Sequence, residues 1–274
     1  YLVGKKISSL YNVDFKIVSW FENQVINKAF YKGLRQTKQL KVIGAMPYVK
    51  SKEELNCNID EDEIIFDTLP DVILVNSPSD IPKSTRLKYI IGPSLRYKDL
   101  LDKRITFKKR NLFLVVLTIY DHEITNVISW INKIKLKKER ILIKFHPSTN
   151  INKYIHLLPK RSKIINKSFT NIYSEIKVVI GVSTGILIEA STLAIPTLVI
   201  PHPNKFSLNF FKNKGKGLIW DKLHPGEDIN IKLNNLIASS RNSKDELLEM
   251  ALFYKKRNFN YPTDENIENA YINT

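Results

Sequence analysis

The stretch VVIGVSTGILIEASTLAIPTLVIP, residues 178–201, decides how the chain folds. Val178, Val179 and Ile180 form a β-branched run, and Gly181 and Gly185 flank Ser183 and Thr184 at a turn. Ile186, Leu187, Glu189, Ala190 and Leu193 then fit a short helix, which Pro196 ends before the apolar run at 197–200. Strand, tight turn, helix and strand in so short a span make one unit of a parallel sheet. Small residues allow close backbone approach at such a turn, and a hydroxyl there can cap an orphan N–H. The turn also aims backbone N–H groups and the positive end of a helix dipole at one point. An anion, most often a phosphate, is the expected occupant.

Three other readings compete for the stretch. A membrane span is disfavoured by Glu189 near its middle and by Ser183, Thr184, Ser191, Thr192 and Pro196. Residues 181–185 also fit G-x-S-x-G, the nucleophile elbow of a serine hydrolase. That reading needs a downstream acid and histidine; Asp221 and His224 are available but close together in sequence, and no HGGG-type segment accompanies them. The third is a buried strand and helix whose small residues serve packing alone.

With 274 residues and 43% hydrophobic content the chain is expected to form one large or two ordinary globular domains. Its single cysteine, Cys57, excludes an intrachain disulfide and a cysteine-cluster zinc site. A formal charge of +16 calls for an anionic partner. The lysine-rich pieces at 133–140 and 212–216 carry few aromatics and no nucleic-acid signature, so nucleic acid is not the expected partner. No secretory signal and no uninterrupted apolar run of about 18 residues is found. A cytoplasmic protein is expected, in peripheral contact with the anionic inner face of the membrane.

Strand and helix signals alternate from end to end. Residues 1–14 are weakly helical, 15–20 (FKIVSW) read as a strand, and a helical pattern follows with Val25, Ile26, Ala29, Phe30 and Leu34 on one side. Runs at 40–44, 64–66, 71–75 and 89–93 give further strands, and 97–110 reads as a linker. The pattern restarts at 112–118 (LFLVVLT), the most convincing buried strand. A helix to about 134, strands at 141–145 and 163–165, helices near 151–158 and 169–174, the opening unit, a strand at 217–220 and one or two helices over 226–256 complete it. The fold class expected is α/β, with two Rossmann-like, doubly wound domains. Residues 1–104 form a first domain that reads as incomplete, 105–256 a nucleotide-binding domain, and 257–274 a carboxy-terminal tail or helix.

Three loops should meet at one edge of the second sheet: 120–122, 144–147 and 181–185. Each follows a strand directly, and that edge carries the ligand crevice of open α/β sheets. His146 can donate to a phosphate, Ser183 and Thr184 offer hydroxyl and backbone donors, and Glu189 can accept from ribose hydroxyls. Glu22 stands at the corresponding end of the first strand, where it could equally be a carboxylate favourably placed on a helix dipole.

The WFENQ motif with its following Lys-Ala-Phe helix (20–30), the His-Pro after a strand (144–147) and Ser-Thr-Gly with a glutamate on the ensuing helix (183–189) resemble bacterial surface-polysaccharide glycosyltransferases of the GT-B fold. The nearest group is the Kdo transferases of capsule and O-antigen synthesis, which use a CMP-activated sugar. The resemblance implies two domains facing a cleft, and a complete GT-B amino-terminal domain would contain more chain before Phe15. It implies that Lys144, His146, Pro147, Ser183, Thr184, Gly185 and Glu189 bind the nucleotide, with His146 and the 183–184 turn on the phosphate and Glu189 on the ribose. No metal or separate cofactor is implied; the donor, CMP-Kdo or a related acid sugar, is a substrate, and a saccharide or glycolipid is the acceptor. Asp121 is the candidate for bond-forming chemistry, as nucleophile or base, and Glu22 for acid–base work on the acceptor side. His122 is a weaker competitor, and Arg96 could pair with the sugar carboxylate or phosphate. A UDP-sugar or CDP-glycerol donor is the alternative within the class.

Overall fold

The apolar β-branched runs and the polar connections between them sort into two all-parallel sheets. The computed structural model describes residues 1–10, 15–36, 40–107, 110–136 and 138–274. Contacts divide the chain into two units, the first made of Tyr1–Leu101 with Lys256–Thr274 and the second of Asp102–Lys255.

The first unit contains α1 (Leu2–Leu10), β1 (Lys16–Trp20), α2 (Val25–Leu34), β2 (Lys41–Met46), β3 (Val72–Val75), β4 (Tyr89–Ile91) and α3 (Lys98–Leu101). Its four strands lie in the order β1-β2-β3-β4, all parallel. Phe21, Tyr31, Leu34, Val42 and Ile73 form the core on one face. On the other face Ala270 is buried against Ile43, Val72 and Leu74. Residues 257–274, set apart in the sequence as a tail, therefore complete this unit. Asn260 exchanges hydrogen bonds with Ser94 (2.9 and 3.0 Å), and the Phe259 ring packs on Tyr97 at 4.5 Å.

The second unit contains β5 (Leu112–Val116), α4 (Asp121–Ile131), β6 (Arg140–Lys144), β7 (Ser162–Ile164), β8 (Ile176–Gly181), α5 (Ile186–Thr192), β9 (Thr197–Val199), β10 (Trp220–Lys222), α6 (Ile229–Asn242) and α7 (Lys244–Asn258), the last turn of which crosses into the first unit. The six strands are parallel in the order β10-β9-β8-β5-β6-β7. From β5 the chain winds outward through β6 and β7, then returns to β5's other side at β8 and winds the opposite way. The reversal puts the topological switch point between β5 and β8, and open α/β sheets carry their ligand crevice beyond the carboxyl ends of the strands at such a point. The close pairing of these strands requires Gly181: a Cβ there would lie 2.5 Å from Val116 Cγ2 and 2.7 Å from the Val116 carbonyl oxygen.

Some elements differ from their sequence signals. The run at 64–66 is part of a 3₁₀ helix, Glu61–Phe66, because Asp60 caps it and three acidic residues fill its first turn. The helices expected near 151–158 and 169–174 are pairs of single 3₁₀ turns. The strand expected at 217–220 begins only at Trp220, since Gly215 and Gly217 take positive φ (74° and 79°) in the turn before it. Within the linker read at 97–110, α3 extends to Leu101, and Lys108 and Lys109 lie outside the described residues.

Candidate active site

Four loops leave the carboxyl ends of β5, β6, β8 and β9, and hydrogen bonds tie them to one another. Thr149, after β6, donates through Oγ1 to the Thr118 carbonyl (3.0 Å) beyond β5. The Thr118 hydroxyl donates to Glu123 Oε2 (2.9 Å), and Ser183, in the turn after β8, donates to Glu123 Oε1 (2.5 Å). The Leu208 N–H donates back to Ser183 Oγ (2.9 Å). Asn126 on α4 donates to the Pro201 carbonyl (3.1 Å) after β9. Glu123 is 1% exposed, so its carboxylate is a buried bridge across the switch point.

Ser183 has φ +47°, a left-handed conformation that a non-glycine residue keeps only where its surroundings over-determine it. Glu123 and Leu208 supply that restraint. The turn then leads into α5, whose first N–H, Ile186, faces the Thr184 hydroxyl at 3.4 Å, with Gly185 at the helix cap. Glu189 lies within α5, half-buried. The serine-hydrolase reading does not assemble here: the Ser183 hydroxyl donates to a carboxylate rather than to a histidine. Asp221 pairs with Lys232 (3.3 Å), and the His224 N–H donates to Glu227.

His146 is exposed, and its Nδ1 accepts from the Ser148 N–H at 3.2 Å. With Nδ1 an acceptor, the neutral ring carries its proton on Nε2, which is thereby a donor. Pro147 fixes the turn that makes this bond possible. Lys144, the last residue of β6, donates from Nζ to the Lys167 carbonyl (3.0 Å).

The same device occurs a second time, unnoticed in the sequence. His202-Pro203 follows β9, and His202 Nδ1 accepts from the Asn204 N–H at 3.2 Å. Since β9 and β6 flank the β8–β5 pair, the two His-Pro turns stand on either side of the switch point. The His202 ring also meets His122 edge to face at 5.5 Å, and the buried Nε2 of His122 has no partner among the described residues. The repeated dipeptide was the signal that could have revealed His202. Glu123, by contrast, reads as an ordinary helix-start acid.

Asp121 is the first residue of α4 and turns toward the loop after β6, where Lys153 Nζ and Tyr154 Oη both donate to it. The bond from Lys153, then that from Tyr154, holds its carboxyl below the usual range, so it is ionised at neutral pH.

In the first unit Glu22 sits just beyond β1, accepting from Trp20 Nε1 (2.7 Å) and Gln24 Nε2 (2.8 Å). Asn27 accepts from the backbone N–H groups of Glu22 and Gln24 and donates to the Trp20 carbonyl, which holds the WFENQ loop in shape. The Trp20 ring stacks on Tyr48 (5.9 Å, 20°), and the Arg96 guanidinium lies over Trp20 at 5.6 Å. Arg96 is thus engaged with aromatic faces. Aromatic rings beside a carboxylate suit a saccharide, which offers apolar faces and hydroxyls together.

No protein-family model and no curated protein sequence matches the chain. Solved structures do resemble it. Acinetobacter baumannii MurG aligns with 99% of this chain and 76% of its own, at 11% identity and a TM-score of 0.53. Anabaena HepE in complex with UDP-glucose aligns with 98% of this chain and 80% of its own, at 11% identity and a TM-score of 0.55. A UDP-N-acetylglucosamine 2-epimerase aligns with 98% and 72%, at 13% identity and a TM-score of 0.56. Against a chain of the GtfA/B complex, with 11% identity and a TM-score of 0.51, this chain spans only 58% of the length. At such identities the likeness is one of fold: the two parallel α/β units of this chain have the GT-B fold.

Proposed function

We propose that the chain is a glycosyltransferase that moves a sugar from a nucleotide donor to a saccharide acceptor. The observation that carries the reading is the hydrogen-bonded switch point, where a strained Ser183 and two His-Pro turns surround the carboxyl ends of β5 and β8. On this reading His146 Nε2 and the N–H groups of the 183–186 turn take the donor phosphates, with Lys144 adding positive charge beside them, and Glu189 accepts from the ribose. Transfer forms a bond between the anomeric carbon and an acceptor oxygen as the nucleotide leaves with its phosphate. The acceptor's proton passes to a carboxylate, for which Glu22 is the candidate, while the ionised Asp121 either stabilises the positive charge that develops at the anomeric centre or attacks it as the nucleotide leaves and is then itself displaced by the acceptor oxygen.

A UDP-sugar is the donor we favour, because HepE, which shares the fold, is found with UDP-glucose. Kdo or another CMP-linked acid sugar, destined for capsule or lipopolysaccharide, is the second reading, and it rests on the short motifs around His146 and Ser183. A lipid-linked acceptor at an anionic membrane face fits the +16 charge. Among the described residues no helix is long and apolar enough to cross a membrane.

Thermal-shift and calorimetric titration with UDP, UDP-glucose, CMP and CDP, with and without magnesium, tests the proposal on wild type and His146→Ala. Metal-independent stabilisation by UDP of about 2.7 kcal/mol at a hundredfold excess over Kd, weakened in the variant, is the expected result. Selective stabilisation by CMP would move the donor to the second reading. Absence of binding by every nucleotide overturns the proposal.

A further inference from the structure

A cavity of about 440 Å³ opens in the second unit at the opposite edge of the sheet, where its strands begin. Arg110 precedes β5, Lys177 is the second residue of β8, and Arg241 and Lys244 stand at the junction of α6 and α7. All four line the cavity, and among the described residues no acidic side chain does. Lys177 is neutralised by Glu139 at 2.6 Å. Among the described residues no carboxylate pairs with Arg110, Arg241 or Lys244. Three unneutralised cations thus face one space whose floor is apolar, made by Phe107, Pro196, Ile237 and Leu247.

Arg110 is the informative member. One of its terminal nitrogens donates to the Thr106 carbonyl, but its Nε–H is buried with no acceptor among the described residues, and the nearby Thr106 Oγ1 is likewise buried without a partner among them. An unsatisfied guanidinium N–H away from water is costly, and burial already lowers the group's tendency to hold its charge. An anion in the cavity that Arg110 lines would offset the loss of charge that burial favours. A guanidinium with two further cations matches a doubly charged phosphate better than a single carboxylate. The volume and the apolar floor match a small organic body attached to it.

We propose that this cavity binds a phosphomonoester carrying an apolar substituent, at a site separate from the sugar-nucleotide edge. The phosphate sits among Arg110, Arg241 and Lys244, and the substituent covers Phe107 and Leu247. A soluble metabolite and a lipid headgroup share this chemistry.

Calorimetry with phenyl phosphate, inorganic phosphate and benzoate, on wild type and the double variant Arg241→Ala/Lys244→Ala, tests the site. Both residues are exposed, so the variant should keep the wild-type melting temperature. Phenyl phosphate should bind wild type more tightly than either other probe, and the double variant should lose roughly tenfold in affinity for each cation removed. Flotation with phosphatidic-acid vesicles that disappears in the variant would assign a lipid source; binding of phenyl phosphate without flotation would assign a soluble one. Unchanged phenyl phosphate affinity in the variant, no binding by wild type, or equal binding of benzoate overturns the proposal.

Discussion

Replacing Glu123 by alanine should loosen the whole switch point, and the size of the effect follows from its bonds. The side chain accepts hydrogen bonds from Ser183 Oγ and Thr118 Oγ1, and each such bond to a charged acceptor contributes about 1.5–3 kcal/mol. Deleting both is partly offset because a carboxylate no longer has to be held away from water, leaving a net loss of about 2–4 kcal/mol. For a unit of this size that lowers the melting temperature by roughly 5–15 °C. Glu123→Gln keeps the shape, but its amide donates where a carboxylate accepted. One hydroxyl proton then loses its acceptor, at a cost of about 1–2 kcal/mol. Thermal unfolding of wild type, Glu123→Ala, Ser183→Ala and the double variant gives the coupling directly, expected at about 1.5–3 kcal/mol. An unchanged melting temperature for Glu123→Ala, or zero coupling in the cycle, would refute the bridge as the restraint on Ser183.

Gly181→Ala should cost about 2 kcal/mol or more by chemical denaturation, and Val116→Ala should restore only part of it, because the second clash is with a backbone carbonyl; full restoration would contradict that geometry. Glu139, whose hydrogen bond from Lys177 lowers its pKa from 4.5 to about 2, contributes stability that is present above pH 4.5 and lost as the pH falls toward 2. Denaturation at pH 6 and pH 3 should therefore show a larger drop for wild type than for Glu139→Gln, and equal drops would remove the linkage. His202→Ala should weaken nucleotide binding by about as much as His146→Ala, roughly tenfold each, if the two His-Pro turns serve one ligand; calorimetry showing that His202 is dispensable would assign that turn to structure alone.

Legibility in the sequence followed the kind of physics involved. The runs at 112–118 and 178–180 are apolar and β-branched because parallel strands are covered on both faces, and that pattern is local, so the strands themselves and the ligand-bearing edge could be inferred from it. The 3₁₀ helix at Glu61–Phe66 was hidden because Ile64, Ile65 and Phe66 look like a buried strand, yet Ile65 is 77% exposed; its capping acids decided the matter. At the site, His146 and the 181–185 turn announced themselves by type and spacing. Glu123 did not, because its significance comes from two hydroxyls brought to it by β5 and β8, and Ser183 lies far along the chain from both Thr118 and Glu123. Lys153 and Tyr154 escaped for the same reason: their claim on Asp121 exists only once the β6 loop has folded back.

The return of residues 256–274 to the first unit has a kinetic meaning. Residues 102–255 are contiguous, so as the chain emerges from the ribosome this unit has all of its strands and helices before synthesis ends. The first unit, although made earlier, must wait for Asn260 to reach Ser94 and for Ala270 to cover Ile43 and Leu74. Its sheet spends the intervening time with one apolar face bare, so the first unit matures after the second and is the more exposed of the two to aggregation and proteolysis while it waits.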